Sequence, residues 1–303
     1  MSPDRFGPLT LRIKRHYNLL ALFYYGLWGR HVHHGYWEDE SDVTAPHVAQ
    51  ERLIRELYHF SGASAPRRLL DVGCGAGGSL LWFAENVKAT GIGLTLSRVQ
   101  QLLGQSAFLA SGLARQLSIQ VADAQQEWPI ADASVDLVWC VECSEHLQDR
   151  AYFARESHRV LTPGGTLCIA AWLAGPNTMP AAEARRQRVE HGMLCHPFGT
   201  EAHYCRWMAE AGFTHIASKI VTPHVLRTWE FCIALRDRPG LPSLARCLGR
   251  DVKAFTEVFY DLHQAYIDGA MAYGFFTARK TTFQPSDDGS GETAVRSSSA
   301  AMP

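Results

Sequence analysis

The stretch DVGCGAGG, from Asp71 to Gly78, sets glycines at 73, 75, 77 and 78 between an apolar run and the helix-forming SLLWFAENV. Glycines at such a corner let the backbone turn sharply and approach a ligand closely, with the N–H groups of the next helix aimed at it. The letters fit both D-x-G-x-G-x-G and G-x-G-x-x-G, so the loop alone suits S-adenosylmethionine or a dinucleotide. A dinucleotide site wants an acidic residue about 20 positions further on to hold the ribose hydroxyls. Here the run GIGLTLS offers Thr95 and Ser97 instead, which favours S-adenosylmethionine.

Other residues suit proton transfer or ligand contact. Glu142 and His146 follow the apolar run VDLVWCV four residues apart, so one helical turn would put both on one side of a pocket, where either could act as a base. Glu145 beside them reads as a helix-start residue facing solvent. Asp123 ends LSIQVAD, where a carboxylate can accept from an adenine amino group or cap a turn. The run WGRHVHHGYW carries His31, His33 and His34, but no Cys or carboxylate pattern accompanies them at ligand spacing, and no metal is expected. Cys140 and Cys143 form C-x-x-C without further ligands. The eight scattered cysteines read as reduced thiols, not as a disulfide framework.

The elements that must position these residues follow from periodicity. RRLLDVG, ATGIGL, LSIQVAD, VDLVWCV and GTLCIAAW are five strand candidates separated by stretches long enough for crossover helices, which implies a parallel, doubly wound sheet. HIASKIVT (215–222) and YGFFTARK (273–280) read as two more strands. Helical spacing covers 9–28, 45–60, 178–192, 200–211 and stretches around 225–236 and 250–269. The fold class is α/β, a Rossmann-like doubly wound seven-stranded sheet with an N-terminal helical lid and a helical cap insertion. The expected units are a lid at 1–62, a cofactor-binding core at 63–175, a cap or acceptor-binding insertion at 176–212, the rest of the core with acceptor-wall helices at 213–282, and a disordered tail at 283–303.

With 303 residues and 47% hydrophobic content the chain can bury a full core, and 29 Lys+Arg against 30 Asp+Glu leaves no basic excess for a phosphate backbone. A nucleic-acid partner is not expected. No segment is long and apolar enough for integral membrane association, and the first residues lack a signal-peptide core, so the expected location is cytoplasmic. Oligomeric state is left open.

DVGCGAGG, GLTLSRVQ, ADAQQEWPIADASVDLVWCVECSEHLQD and RVLTPGGTL stand in the order of the class I S-adenosylmethionine-dependent methyltransferase motifs. Over roughly residues 10–280 the chain resembles that family, and HVHHGYW, GLTLSRVQ and VWCVECSEHLQD resemble its γ-tocopherol methyltransferase group. The resemblance implies S-adenosyl-L-methionine as cofactor, its methionine end against Asp71, Gly73 and Gly75, its ribose near Thr95, Leu96 and Gln100, and its adenine at Asp123 and Ala124. The usual acidic ribose ligand on the second strand is missing, with Thr95 as its replacement. Tyr17, His33, Gly35 and Tyr36 become lid residues that exclude water from the sulfonium, and Glu142 and His146 face the acceptor. Tyr36, His196, Phe198, Trp229 and Phe259 are expected to wall a small-molecule acceptor site. Its aromatic character points to C-methylation of an isoprenoid or prenylated phenol, the alternative being O- or N-methylation of a natural-product scaffold such as a glycoside, alkaloid or polyketide.

Overall fold

The computed structural model describes residues 7–281, so the expected tail at 283–303 lies outside the described residues. Helices α1 (Pro8–Leu27) and α2 (Pro46–Ser61) precede β1 (Arg68–Val72), α3 (Gly78–Asn86), β2 (Thr90–Thr95), α4 (Arg98–Ala110), β3 (Leu117–Val121) and β4 (Val135–Val141). A 3₁₀ turn at Ser144–His146 leads into α5 (Arg150–Val160), β5 (Leu161–Ala174), α6 (Pro180–Gly192), α7 (Glu201–Glu210) and β6 (Phe213–Ile220). Short helices α8 (Thr222–Val225), α9 (Arg227–Arg236), α10 (Leu241–Cys247), α11 (Arg250–Glu257) and α12 (Phe259–Ile267) then run to β7 (Met271–Lys280).

The seven strands form one sheet in the order β3-β2-β1-β4-β5-β7-β6. Strands β1 to β5 are parallel, as the alternating pattern requires, and β7 alone runs antiparallel, paired with β5 and β6. Because successive side chains point to opposite faces, a strand buried on both sides must be apolar throughout. On β1, Leu69 packs with α2 and α3 through Leu53, Leu57 and Leu80, while Leu70 and Val72 join α5 and α7 through Phe153, Tyr204 and Met208. On β4, Leu137 and Trp139 take the first face, Val138 and Cys140 the second.

Three differences from the sequence reading have physical causes. No helix connects β3 to β4; the crossover is a loop in which buried Trp128 packs on Phe153 and donates its indole N–H to the Ala124 carbonyl (3.0 Å), filling the volume a helix would occupy. Helix α7, grouped by sequence with the cap, packs on α5 and β6 because its apolar stripe of Tyr204 and Met208 is buried in the sheet core. The first expected late helix is α9, a further short helix α10 follows Gly240 in the gap between the two, and the second is interrupted at Val258 into α11 and α12.

The segment 28–37 has no regular structure, yet His31, His33, His34, Tyr36 and Trp37 are all buried in it. Its anchor is Glu142, just beyond β4, whose carboxylate Oε1 accepts from the His34 backbone N–H (2.8 Å), His34 Nδ1 (2.9 Å) and the Tyr273 hydroxyl (2.7 Å). The indole of Trp229 can only donate, and it points at His34 Nε2 (2.7 Å), so Nδ1 carries the proton aimed at Glu142. Burial pushes the Glu142 carboxyl up, but the donors of His34 and the nearby His33 prevail and hold it below its ordinary value. This knot joins the N-terminal segment, β4, β7 and α9. Glu142→Gln should destabilise the protein by about 1–3 kcal/mol, since neutralising the acceptor weakens hydrogen bonds to a charged group. A folded-state pKa below the unfolded one gives stability that is present above the ordinary carboxylate range and lost as the pH falls through it. Urea midpoints should therefore differ between the variant and the parent at neutral pH and converge in acid.

Candidate active site

Two cavities meet over the carboxyl ends of the central strands. One is a cleft lined by the β1 loop (Asp71, Gly73, Cys74, Gly75), the β2 end (Thr95, Leu96, Ser97, Gln100) and the β3 end (Asp123, Ala124, Gln125). Its roof is α1, through Thr10, Ile13, Tyr17 and Tyr25, with Arg30 to His33 closing the side. All ten residues that the sequence reading set against the cofactor line this cleft, Tyr17 and His33 included.

The loop needs glycine for two reasons. Gly73 and Gly75 sit at φ +78° and +55°, and a Cβ on Gly73 would lie 2.3 Å from Cys143 Sγ. A Cβ on Gly75 would lie 2.7 Å from the Tyr25 hydroxyl, which itself accepts from the Ala76 N–H at 2.7 Å. Tyr25 is thus a loop contact that the sequence reading missed. Thr10, Ile13, Tyr17 and Tyr25 share one face of α1 at helical spacing, and that regularity was the available clue.

Polar groups in the cleft are specifically committed. Thr95 donates to Gln100 Oε1 (2.7 Å) and accepts from the Ser97 N–H (3.2 Å), so it orients Gln100. An acidic ribose ligand accepts from the ribose, and with its proton engaged by Gln100 and one lone pair by Ser97, the Thr95 oxygen keeps one lone pair for that expected role. Asp123 Oδ1 accepts from the Gln125 N–H (2.9 Å), the turn-capping role considered for it, and the residue also lines the cleft. Asp71 is different. Its Oδ2 is buried with no partner, and burial pushes its carboxyl up to about 8. A cation delivered into the cleft would relieve that penalty.

The second cavity is an apolar chamber. Its walls come from α1 (His16, Leu20, Phe23, Tyr24), the end of β5 (Trp172), Met193 to Cys195, α9 (Trp229, Cys232) and α10 to α12, with Phe255 and Phe259 among them. Of the expected acceptor residues, Trp229 and Phe259 line it. Tyr36, His196 and Phe198 do not: Tyr36 is buried in a stack on His224 with centroids 4.3 Å apart, Phe198 is buried behind Trp172, and the His196 backbone N–H is held by the Glu145 carbonyl (3.0 Å). Trp172 ends an apolar strand and Phe255 lies on the apolar stripe of the amphipathic α11, and both were missed since only packing decides which cavity such a face lines.

Tyr17, Val32, His33, Glu142 and His146 line both cavities and so form the partition between them. His146 Nδ1 lies 3.0 Å from the Leu194 carbonyl and must carry the proton there, which leaves Nε2 to accept from the Tyr17 hydroxyl at 2.9 Å. Burial lowers His146 to about 4, the Leu194 carbonyl working against the shift and the nearby His196 and Arg150 with it. Glu145, expected at the solvent, is buried in the chamber wall; it accepts from the Trp172 N–H (2.6 Å), and burial raises it to about 8. Glu142 serves the knot described above, and a carboxylate already accepting three hydrogen bonds is a poor base. Among the described residues no group of three His, Cys, Asp or Glu is arranged to hold a metal ion, and no helix is long and apolar enough to cross a membrane.

Residues 70–169 match the family model described as a methyltransferase domain. The chain is 38% identical over 288 residues to the chloroplastic tocopherol O-methyltransferase of Arabidopsis thaliana, covering 88% of this chain and 81% of that protein. Among solved structures, the [4+2]-cyclase SpnF superposes with a TM-score of 0.78 at 23% identity, over 93% of this chain and 100% of that one. The geranyl diphosphate C-methyltransferase of Streptomyces coelicolor A3(2) follows with a TM-score of 0.72 at 20% identity, over 92% and 100%. The two structural likenesses speak for the fold, and the tocopherol methyltransferase match for kinship. The chain belongs to the class I S-adenosylmethionine-dependent methyltransferases, in the group of the tocopherol methyltransferases.

Proposed function

We propose that this methyltransferase C-methylates an uncharged prenylated phenol, with S-adenosylmethionine in the cleft and the acceptor's apolar part in the chamber. The observation that carries the choice is the charge of the chamber. Arg236 is the one Arg or Lys among its lining residues, and it is engaged by Asp237 (2.7 Å). The dense cluster Arg185, Arg186 and Arg188 lies outside the chamber, committed to Asp268, Glu190 and Asp261. An isoprenoid diphosphate would find no spare cations there, whereas the aromatic wall of Trp172, Trp229, Phe255 and Phe259 suits a neutral prenyl chain.

In this reading Asp71 supplies the negative charge for the cofactor's cationic end, Gly73 and Gly75 admit its methionine part, Gln100 faces the ribose, and Asp123 lies by the adenine. The bound cofactor supplies an activated methyl group, so the protein must align the acceptor and exclude water. Helix α1 covers the cleft and also bears Tyr17, which keeps the partition dry where the two ligands meet. Methylating a phenol ring carbon releases one proton overall. Nε2 of His146 takes the phenolic proton, directly or through Tyr17, while Leu194 holds the ring in the required tautomer. Glu142 acts as a positioning residue: through His34 it fixes the segment that carries His33.

Calorimetry should give S-adenosylhomocysteine binding and no NAD binding, and Gly75→Val should abolish the former without unfolding the protein. Asp71 titrates higher when folded than when unfolded, so the cost of its charge accrues as the pH rises from its ordinary range toward about 8. The ligand-free Asp71→Asn variant should therefore melt no lower than the parent at pH 8. It should lose most of the stabilisation that saturating S-adenosylhomocysteine gives, about 2.7 kcal/mol at a hundredfold excess over Kd. An undiminished ligand-induced shift in that variant would remove Asp71 from the cofactor site.

With prenylated phenols as acceptors, His146→Ala should cut kcat by at least about tenfold, with cofactor affinity preserved. Because His146 is lowered to about 4, it stays unprotonated as the pH falls, and the acid limb of kcat should lie well below the 6.5 of an ordinary histidine. An acid limb near 6.5, or a variant with lower melting temperature and intact turnover, would make His146 a packing residue. Turnover confined to geranyl diphosphate, or a product methylated at oxygen by NMR, would overturn the acceptor assignment.

A further inference from the structure

The mouth of the chamber carries an apolar rim. Phe23 on α1 and Leu244 on α10 both line the chamber and are exposed, at 37% and 45%. Along the outer face of the same helix, Leu19 and Leu22 are exposed at 46% and 70% without lining the chamber. The inner face is the one that packs: Leu20 and Tyr24 lie against Ala245, Leu248 and Val252 of α10 and α11. Helices α1 and α10 thus form one continuous surface around the opening.

That surface is basic, although the whole chain has a net charge of −1. Residues 7–30 contain Arg12, Lys14, Arg15 and Arg30 and no acidic residue, and residues 236–250 contain four arginines and only Asp237. After Asp237 is offset by Arg236, and Asp251 by Arg12 at 2.9 Å, the exposed Arg15, Arg238, Arg246 and Arg250 leave a positive excess. Exposed leucines flanked by cations on a helix are the physical requirements for lying in a lipid headgroup layer. A second copy fits less well, because a twofold interface would set this basic patch against itself.

We infer that the α1 and α10 rim docks on an anionic bilayer surface, with Leu19, Leu22 and Phe23 entering the headgroup layer. The chamber mouth then opens toward the lipid, and an apolar acceptor enters without crossing water. The route of entry rests on the acceptor reading above; the docking does not, since it is measured without acceptor or turnover.

The test is sedimentation of the full chain with phosphatidylcholine vesicles, with and without about 30% phosphatidylglycerol. Binding is expected only with the anionic lipid, and it should weaken as salt shortens the screening length. Leu19→Asp with Leu22→Asp should lower partitioning at least about tenfold while leaving S-adenosylhomocysteine affinity and melting temperature as in the parent. Should that variant misfold, an environment-sensitive dye on the exposed Cys247 of the unmutated chain should shift to the blue with anionic vesicles. No sedimentation above the vesicle-free control, or equal binding by the double variant, would overturn the inference. So would a dimer that the double substitution dissociates, which would assign the face to a second copy.

Discussion

One buried carboxylate organises this molecule. Glu142 stands at φ +51°, a backbone region that side chains seldom occupy, and gathers three hydrogen bonds on one oxygen from His34 and Tyr273. Without it the irregular segment 28–37 would have to bury three histidines and several backbone groups with no strand to pair with. The strain is tolerated because three hydrogen bonds from two distant parts of the chain converge on the same atom. Trp229 extends the knot to α9 through His34, so the chamber wall is tied to the edge of the sheet.

Burial sets the protonation of the groups beside the knot. His146 is lowered by it, and Glu145 is raised by it, with the Glu142 charge adding to the rise of Glu145. The partition thus sets an unprotonated histidine and a phenol beside one saturated carboxylate, Glu142. Asp71 is the counterpart in the cleft, a carboxyl whose isolation becomes favourable once a cation arrives.

Helix α1 couples these parts. One face roofs the cleft with Thr10, Ile13, Tyr17 and Tyr25, the adjoining face lines the chamber with His16, Leu20 and Phe23, and the outer face carries exposed leucines. Apolar residues therefore stand on much of its circumference. The arrangement follows from having two cavities and an open rim to serve with one element.

What the sequence determined by itself was which residues gather at the cleft. Gly73 and Gly75, Thr95 and Gln100, and Asp123 sit at strand ends, where a parallel sheet brings them to one edge whatever the rest of the chain does, while the family resemblance supplied the roles expected of them. The acceptor side was decided only in three dimensions. Helices α6 and α9 to α12 pack on each other and on α1, not on the strands that precede them, so which aromatics face inward depends on contacts between elements far apart in sequence. Phe198 and Trp172 are both aromatic and buried, yet only Trp172 reaches the chamber. Glu142 and His146 were found together by their spacing and then separated by their partners. His34 and Tyr273 make the carboxylate a fixed anchor, and Leu194 fixes the His146 tautomer whose unprotonated Nε2 accepts from Tyr17, because hydrogen-bond partners, which spacing cannot specify, determine what a titratable group does.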